Sequence, residues 1–323
     1  MKKTLIAMAV LAASGASFAQ VTITGNLTMG YVAMGKPAGD TSGFGVDTSQ
    51  INFAATEDLG SGMKATAKMA LAGADRSGES GNGTVGGRDA SLALATGFGV
   101  FTLGSGKSAD YLSGGIAGVG AVYFDFENLG LFSARSSRDT ATFALLPIAG
   151  FTAQISHQEG GNAQGLGTGA AGATAQRLNA YGLKYASGPA VVDVQLLQFD
   201  KNVGNGTGTA VDEQRLSGSY DLGVAKLGLG TQITKYAFGN TKTQSLLGVT
   251  VPVGPVTFGA QLAARKTSDL SAAADGTQNG YSLAAVYSLS KRTMVAAQYS
   301  RWDGAVNPTA SSTAAGLLLS HSF

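Results

Sequence analysis

Apolar and polar residues in this chain trade places at every step over long runs, and that period of two restricts the fold more than any other feature. Val21, Ile23, Leu27, Met29 and Tyr31 share one parity, while Thr22, Thr24, Asn26 and Thr28 share the other. Met63, Ala65, Ala67, Met69 and Leu71 alternate with Lys64, Thr66 and Lys68. The pattern returns as Phe151, Ala153 and Ile155 against Thr152, Gln154 and Ser156, and as Val256, Phe258, Ala260 and Leu262 against Thr257, Gln261 and Arg265. Successive side chains of a β-strand point to opposite faces, so each segment has one oily and one wet side. A soluble sandwich also alternates, but strands of roughly ten residues exceed its usual ~5 to 6. In a transmembrane barrel the apolar parity meets lipid and the polar parity meets a wet interior, where lysines at 64 and 68 cost little.

The connections alternate too. Short, turn-like ones lie at 58–62, 96–99, 147–150, 186–189, 221–224, 252–255 and 289–292. Between them are longer stretches rich in Gly, Asn, Ser and Asp, at 35–47, 75–87, 107–138, 158–177, 200–211, 236–242, 266–278 and 303–311. Seven turns and eight loops predict sixteen strands in an all-β, antiparallel transmembrane barrel, with short turns and both termini in the periplasm and long loops outside. The last strand ends Leu317-Leu318-Leu319-Ser320-His321-Ser322-Phe323. Its aromatic terminus resembles the signal by which outer-membrane barrels are recognised for insertion.

Residues 1–19 read as a secretory signal, with Lys2 and Lys3, an apolar core from Leu5 to Ala13, and Ser17-Phe18-Ala19 before the cleavage point, leaving 20–323 as the barrel. Removing that segment takes two lysines from 22 Lys+Arg and nothing from 20 Asp+Glu, so the remainder is formally neutral. A nucleic-acid partner would need a basic excess that is missing. The chain has no cysteine, which excludes disulfides and thiolate metal sites. No run after the signal approaches the ~20 apolar residues of a membrane-spanning helix. Glycine, at 48 of 323 residues, disfavours long helices, and a disordered chain would have no reason to keep the alternation.

Enzyme chemistry finds little to work with. The two histidines, His157 at a strand end and His321 in the terminal strand, assemble no metal cluster or triad. Gly81-Asn82-Gly83-Thr84-Val85-Gly86 has the dinucleotide spacing, but no helical pattern follows to present an N-terminus to phosphate. The lone Trp302, with Tyr287, Tyr299 and Phe258, suits an interfacial aromatic girdle. No cofactor or metal is expected.

Several motifs are similar to those of the general porins of β-proteobacteria. They are Thr56-Glu57-Asp58-Leu59-Gly60-Ser61-Gly62-Met63-Lys64-Ala65, Val224-Ala225-Lys226-Leu227, Leu247-Gly248-Val249-Thr250-Val251-Pro252-Val253-Gly254, and Tyr287-Ser288-Leu289-Ser290-Lys291-Arg292-Thr293. The likeness runs from Gln20 to Phe323. It implies a homotrimer of 16-stranded barrels, each with its third loop folded inward to narrow a passive path for small hydrophilic solutes and ions. At the family's strand-two arginine, Ser49 is followed here by Gln50, whereas a second family arginine corresponds to Arg88 in Gly87-Arg88-Asp89-Ala90. Arg88 shares the parity of Ala90, Leu92 and Leu94, so it can face the pore only where the strand is irregular. Ser105 stands at a third arginine position with Lys107 nearby, and Arg135 or Arg138 at a fourth.

A constriction of this kind sets opposite charges across a narrow passage. The candidate residues are Lys64, Lys68, Arg88 and Arg138 on the wall, and Asp110, Asp125 and Glu127 on the third loop. In the strands, the inward-parity bases Lys64, Lys68, Lys184, Arg215, Lys226 and Arg265 outnumber the acids, chiefly Asp193, which implies a weak preference for anions. A substrate-specific channel would need an inward aromatic track, and an enzyme or adhesin anchored by the barrel would need a polar triad or a larger passenger segment.

Overall fold

The structure, a computed structural model, describes residues 20–73, 85–107, 111–160, 177–200, 209–268, 275–303 and 311–323. Residues 1–19, read from the sequence as a secretory signal, most of the glycine-spaced motif at 81–86, and Asp110 lie outside them. The described residues form sixteen strands and no helix. The first eight are β1 (Gln20–Gly35), β2 (Thr41–Gly60), β3 (Met63–Ala72), β4 (Gly86–Ala95), β5 (Gly99–Lys107), β6 (Ser137–Leu145), β7 (Phe151–Gly160) and β8 (Leu178–Ser187). The remainder are β9 (Ala190–Phe199), β10 (Ala210–Asp221), β11 (Lys226–Tyr236), β12 (Thr241–Val253), β13 (Val256–Ser268), β14 (Gly276–Ser288), β15 (Thr293–Asp303) and β16 (Ser311–Ser322).

Each strand pairs antiparallel with its neighbours in sequence, and β1 pairs with β16, so the sheet closes on itself. Closure satisfies every ladder without an edge, the condition for strands in hydrocarbon. The last residue takes part: Gly25 donates to the Phe323 carbonyl at 2.9 Å, and Phe323 donates back to Gly25 at 3.0 Å. The Phe323 ring lies over Gly25, where a Cβ would collide with it.

The period of two sorts the faces. Val21, Ile23, Leu27 and Met29 point outward and are exposed, while Thr22 and Thr24 line the lumen. Asn26 donates to Ser320 and Ser322 at 3.1 Å, inside the β1–β16 seam. Apolar side chains as exposed as Val21 (64%) and Leu262 (59%) recur around the outer wall, a surface of the kind that faces a lipid bilayer.

Two expectations need correction. The first connection was expected over 35–47, but β2 begins at Thr41. Gly43 and Gly45, which read as loop, remain in register opposite Val32 and Gly30, and the ring pair of Tyr31 and Phe44 at 5.1 Å spans the hairpin. Ladder bonds and a cross-strand aromatic contact outweigh the glycine signal. Trp302, expected in a girdle, shares the inward parity of Ser300 and Gln298 and is 6% exposed. It packs in the apolar cluster beneath the third loop. Tyr287, Tyr299 and Phe258 do face outward.

A lysine at outward-facing Leu262, midway along β13, should cost about 2–4 kcal/mol, while one at lumen-facing Thr24 should cost less than about 0.5 kcal/mol. Urea unfolding of the bilayer-inserted protein measures both, and equal costs would mean the faces are assigned wrongly.

Candidate functional site: the lumen and its inward loop

The connection between β5 and β6 turns into the barrel instead of outward. Its apolar residues Leu112, Ala117, Phe124, Phe126, Leu131 and Phe132 are buried with Leu246, Ala263, Ala296, Trp302, Ala314 and Leu318 from the inner wall of β12, β13, β15 and β16. Phe126 and Leu131 are fully buried. The loop therefore lines one side of the passage and has a dry core of its own behind it.

Its acidic residues do not stand free in the passage. Tyr111 donates through its phenol to Asp125 Oδ2 at 2.8 Å, and Asp125 Oδ1 accepts from the Asn128 amide at 2.9 Å. Glu127 accepts from the Arg135 amide at 2.8 Å and pairs with its guanidinium at 2.9 Å. That guanidinium stacks 3.5 Å from the centre of the Tyr111 ring. Burial, the hydrogen bond to Asp125 and that carboxylate's charge push the Tyr111 phenol up to about 12, so it remains a donor across ordinary pH. The entering and returning limbs of the loop are thus tied together.

What remains open is a cavity of about 1100 Å³, whose lining holds Lys68, Lys107, Arg135, Arg138 and Arg215 against Asp89, Glu127 and Glu213. Lys68 sits between Ala54 and Ser91 on β3. Arg138, at the start of β6, holds its guanidinium 5.9 Å from the Phe199 ring centre. Lys64 lies opposite Asp58 next to the short β2–β3 turn, apart from this lining. Asp125 is 9% exposed and committed to the loop's interior.

Arg88 reaches the interior through an irregularity. The register shifts between Met69 and Leu71, which pair with Ala90 and Gly87, so β4 carries one extra residue. Such a bulge re-aims side chains. Arg88 donates to Gln50 Oε1 at 3.2 Å, and Gln50 lines the lumen. Asp89, also turned inward, accepts from the Lys107 amide at 3.3 Å.

Asp89, Glu213 and Arg215 line the passage but were not among the sequence candidates for the constriction. Arg215 of β10 donates to Gln232 at 3.0 Å and Gln195 at 3.4 Å and pairs with Glu213 at 3.4 Å. Parity had placed Arg215 inward, but only the cross-strand register supplies its partners. Arg265, also inward by parity, does not reach the passage. It lies behind the loop, donating to the Leu131 carbonyl at 2.7 Å and to Gln278 at 3.0 Å. Lys184 and Lys226 border a second cavity of about 410 Å³ against loop residues 115, 116 and 118–121.

A closed barrel with an oily exterior, a charged wet lumen and a loop packed inside it defines a channel across an outer membrane. Comparison with known proteins agrees. The family model for Gram-negative porins matches residues 4–305. Outer membrane porin protein 32 of Delftia acidovorans is 32% identical, with 91% of this chain and 87% of that one covered. The anion-selective porin from Comamonas acidovorans superimposes with a TM-score of 0.69 at 21% identity, covering 94% of this chain and 100% of that one. OmpT of Vibrio cholerae in its trimer form gives 0.68 at 16% identity, with 95% and 100% covered. The chain belongs to the Gram-negative porin family. It is a passive diffusion channel of the Gram-negative outer membrane.

Asp125→Asn should bring the Tyr111 phenol part of the way back toward 10.0, because the carboxylate's contribution is lost while burial persists. Ultraviolet pH titration, with Tyr111→Phe as the blank, reads this shift. An unchanged titration would mean that the carboxylate does not hold the phenol.

Proposed function

We propose that this porin is a weakly anion-preferring channel, working as a homotrimer after removal of residues 1–19. The observation that carries the ion preference is the imbalance of the lumen lining, with five bases against three acids among the described residues. Two of those acids, Glu127 and Glu213, are paired with arginines of the same lining. Like-signed charge around a narrow wet passage raises the local concentration of the opposite ion. Lys68, Lys107 and Arg138 would carry most of this bias on the wall, with Arg88 at the β4 bulge.

Asp125 and Glu127 would then act less as the negative pole of an eyelet than as ties that shape the loop. Lys64 would set charge at the periplasmic mouth. The relative from Comamonas acidovorans described as anion-selective supports the sign of the preference. The trimeric OmpT supports the assembly. The reading involves no catalytic step: solute flux should rise linearly with the concentration gradient.

Single-channel recording in a KCl gradient tests it. We expect a mildly anion-selective reversal potential in dilute salt that nearly vanishes in concentrated salt, since the Debye length falls from ~10 Å at 0.1 M to ~3 Å at 1 M. Gln50→Arg should strengthen the preference, and Lys68→Gln combined with Arg138→Gln should abolish it. A cation-selective potential in dilute KCl would overturn the proposal.

A further inference from the structure

The inward loop is held from the wall at its backbone, and one side chain does most of the holding. Gln298, inward on β15 and 5% exposed, accepts from the amides of Tyr123 at 2.6 Å and Phe124 at 3.0 Å. Its own amide donates to the Phe124 carbonyl at 2.8 Å and to Ser300 at 2.9 Å. A single carboxamide thus satisfies three backbone groups of two successive loop residues, fixing position and orientation together. Gln261 of β13 adds a bond to the Val119 carbonyl at 3.0 Å.

The wall is also relieved where the loop comes closest. At Gly248 and Gly259 a Cβ would overlap the carbonyl oxygens of Val119 and Gly120. At Gly280 it would stand 2.7 Å from the Phe126 ring, and at Gly316 2.6 Å from the Phe124 ring. These positions all carry the inward parity of their strands, so the missing side chains form a seat on the lumen face. Absent Cβ atoms allow the loop backbone to lie directly on the sheet.

We infer that Gln298 is a positioning residue for conduction, and that the clamp it makes on Tyr123 and Phe124, with the glycine seat, sets the width and steadiness of the pore. Gln298 does not face the passage, so its influence on current runs through the loop. The geometry assigns different consequences to loosening the clamp and to filling the seat. Without the clamp, the loop samples several distances from the wall, each with its own conductance. With a methyl group in the seat and the clamp intact, the loop stands displaced toward the lumen at one new distance.

The test is planar-bilayer recording of the full-length, membrane-reconstituted protein carrying Gln298→Leu, Gln298→Glu or Gly259→Ala. Gln298→Leu should spread the steady open level into sublevels, with open-channel current variance rising roughly three-fold or more. Gln298→Glu still accepts from both amides but cannot donate to the Phe124 carbonyl, so it should fall between wild type and Leu. Gly259→Ala should lower the mean conductance by roughly a fifth with little added variance. Heat resistance of the barrel on gels should be unchanged in all three. A steady wild-type open level in Gln298→Leu overturns the inference, as does added variance that appears only with loss of barrel heat resistance. The inference rests on the reading of this protein as an open diffusion channel, and a failure there would show separately, as absence of conductance in the wild type.

Discussion

Inside hydrocarbon no water competes for a backbone amide, and an unpaired N–H or C=O costs several kcal/mol. Everything else in this molecule follows from answering that cost with strands alone. Sixteen strands pair with their neighbours until β1 meets β16, and the chain's last residue exchanges two hydrogen bonds with Gly25. Lipid then takes the apolar parity that a soluble protein would bury. The polar parity is left to enclose water.

A barrel solved this way has no packed core in its middle, so what occupies the lumen must bring one. The loop between β5 and β6 does so asymmetrically, burying phenylalanine and leucine against β12 to β16 while showing the opposite wall its polar side. Its charges serve its shape. Arg135 is stacked on Tyr111 and paired with Glu127, and Asp125 is spent on the Tyr111 phenol. Among the described residues, the lining's excess of bases thus comes from Lys68 on β3, Lys107 on β5 and Arg138 on β6, spread along the passage.

Most of the fold was legible because the signals that specify it are local. Alternation at Val21–Met29 and Met63–Leu71 fixes faces, and glycine- and proline-containing turns fix the order of strands. The first hairpin was misjudged because Gly43 and Gly45 look like loop until Tyr31 and Phe44 are seen facing each other across it. The site was less legible for a related reason: parity says which way a side chain leaves the sheet, not what it meets. Arg215 and Arg265 share an inward parity, yet one lines the passage and the other is sealed behind the loop. Arg88 shows the limit of parity itself, since a single extra residue in β4 changes its direction. In the loop, Phe124-Asp125-Phe126-Glu127 does carry a readable hint, because two aromatic residues at alternate positions ask for an apolar partner. The wall residues that answer them lie far along the chain.

That distance bears on how the pore comes to have its size. Tyr123 and Gln298 are 175 positions apart, and the loop's wall partners lie on β12 to β16. Contacts so remote in sequence are paid for late in folding, after the intervening chain has been ordered. The hairpin of β5 and β6 can pair locally, whereas the segment joining them has a surface to rest on only where the distant wall stands beside it. A narrowed lumen is thus a property of the closed barrel and not of the hairpin that carries the loop, since Phe124 and Phe126 are covered by wall residues remote from them in the chain. The space left for solutes is therefore coupled to the completeness of the ring of strands: what seats the loop is the same wall that closes on β1.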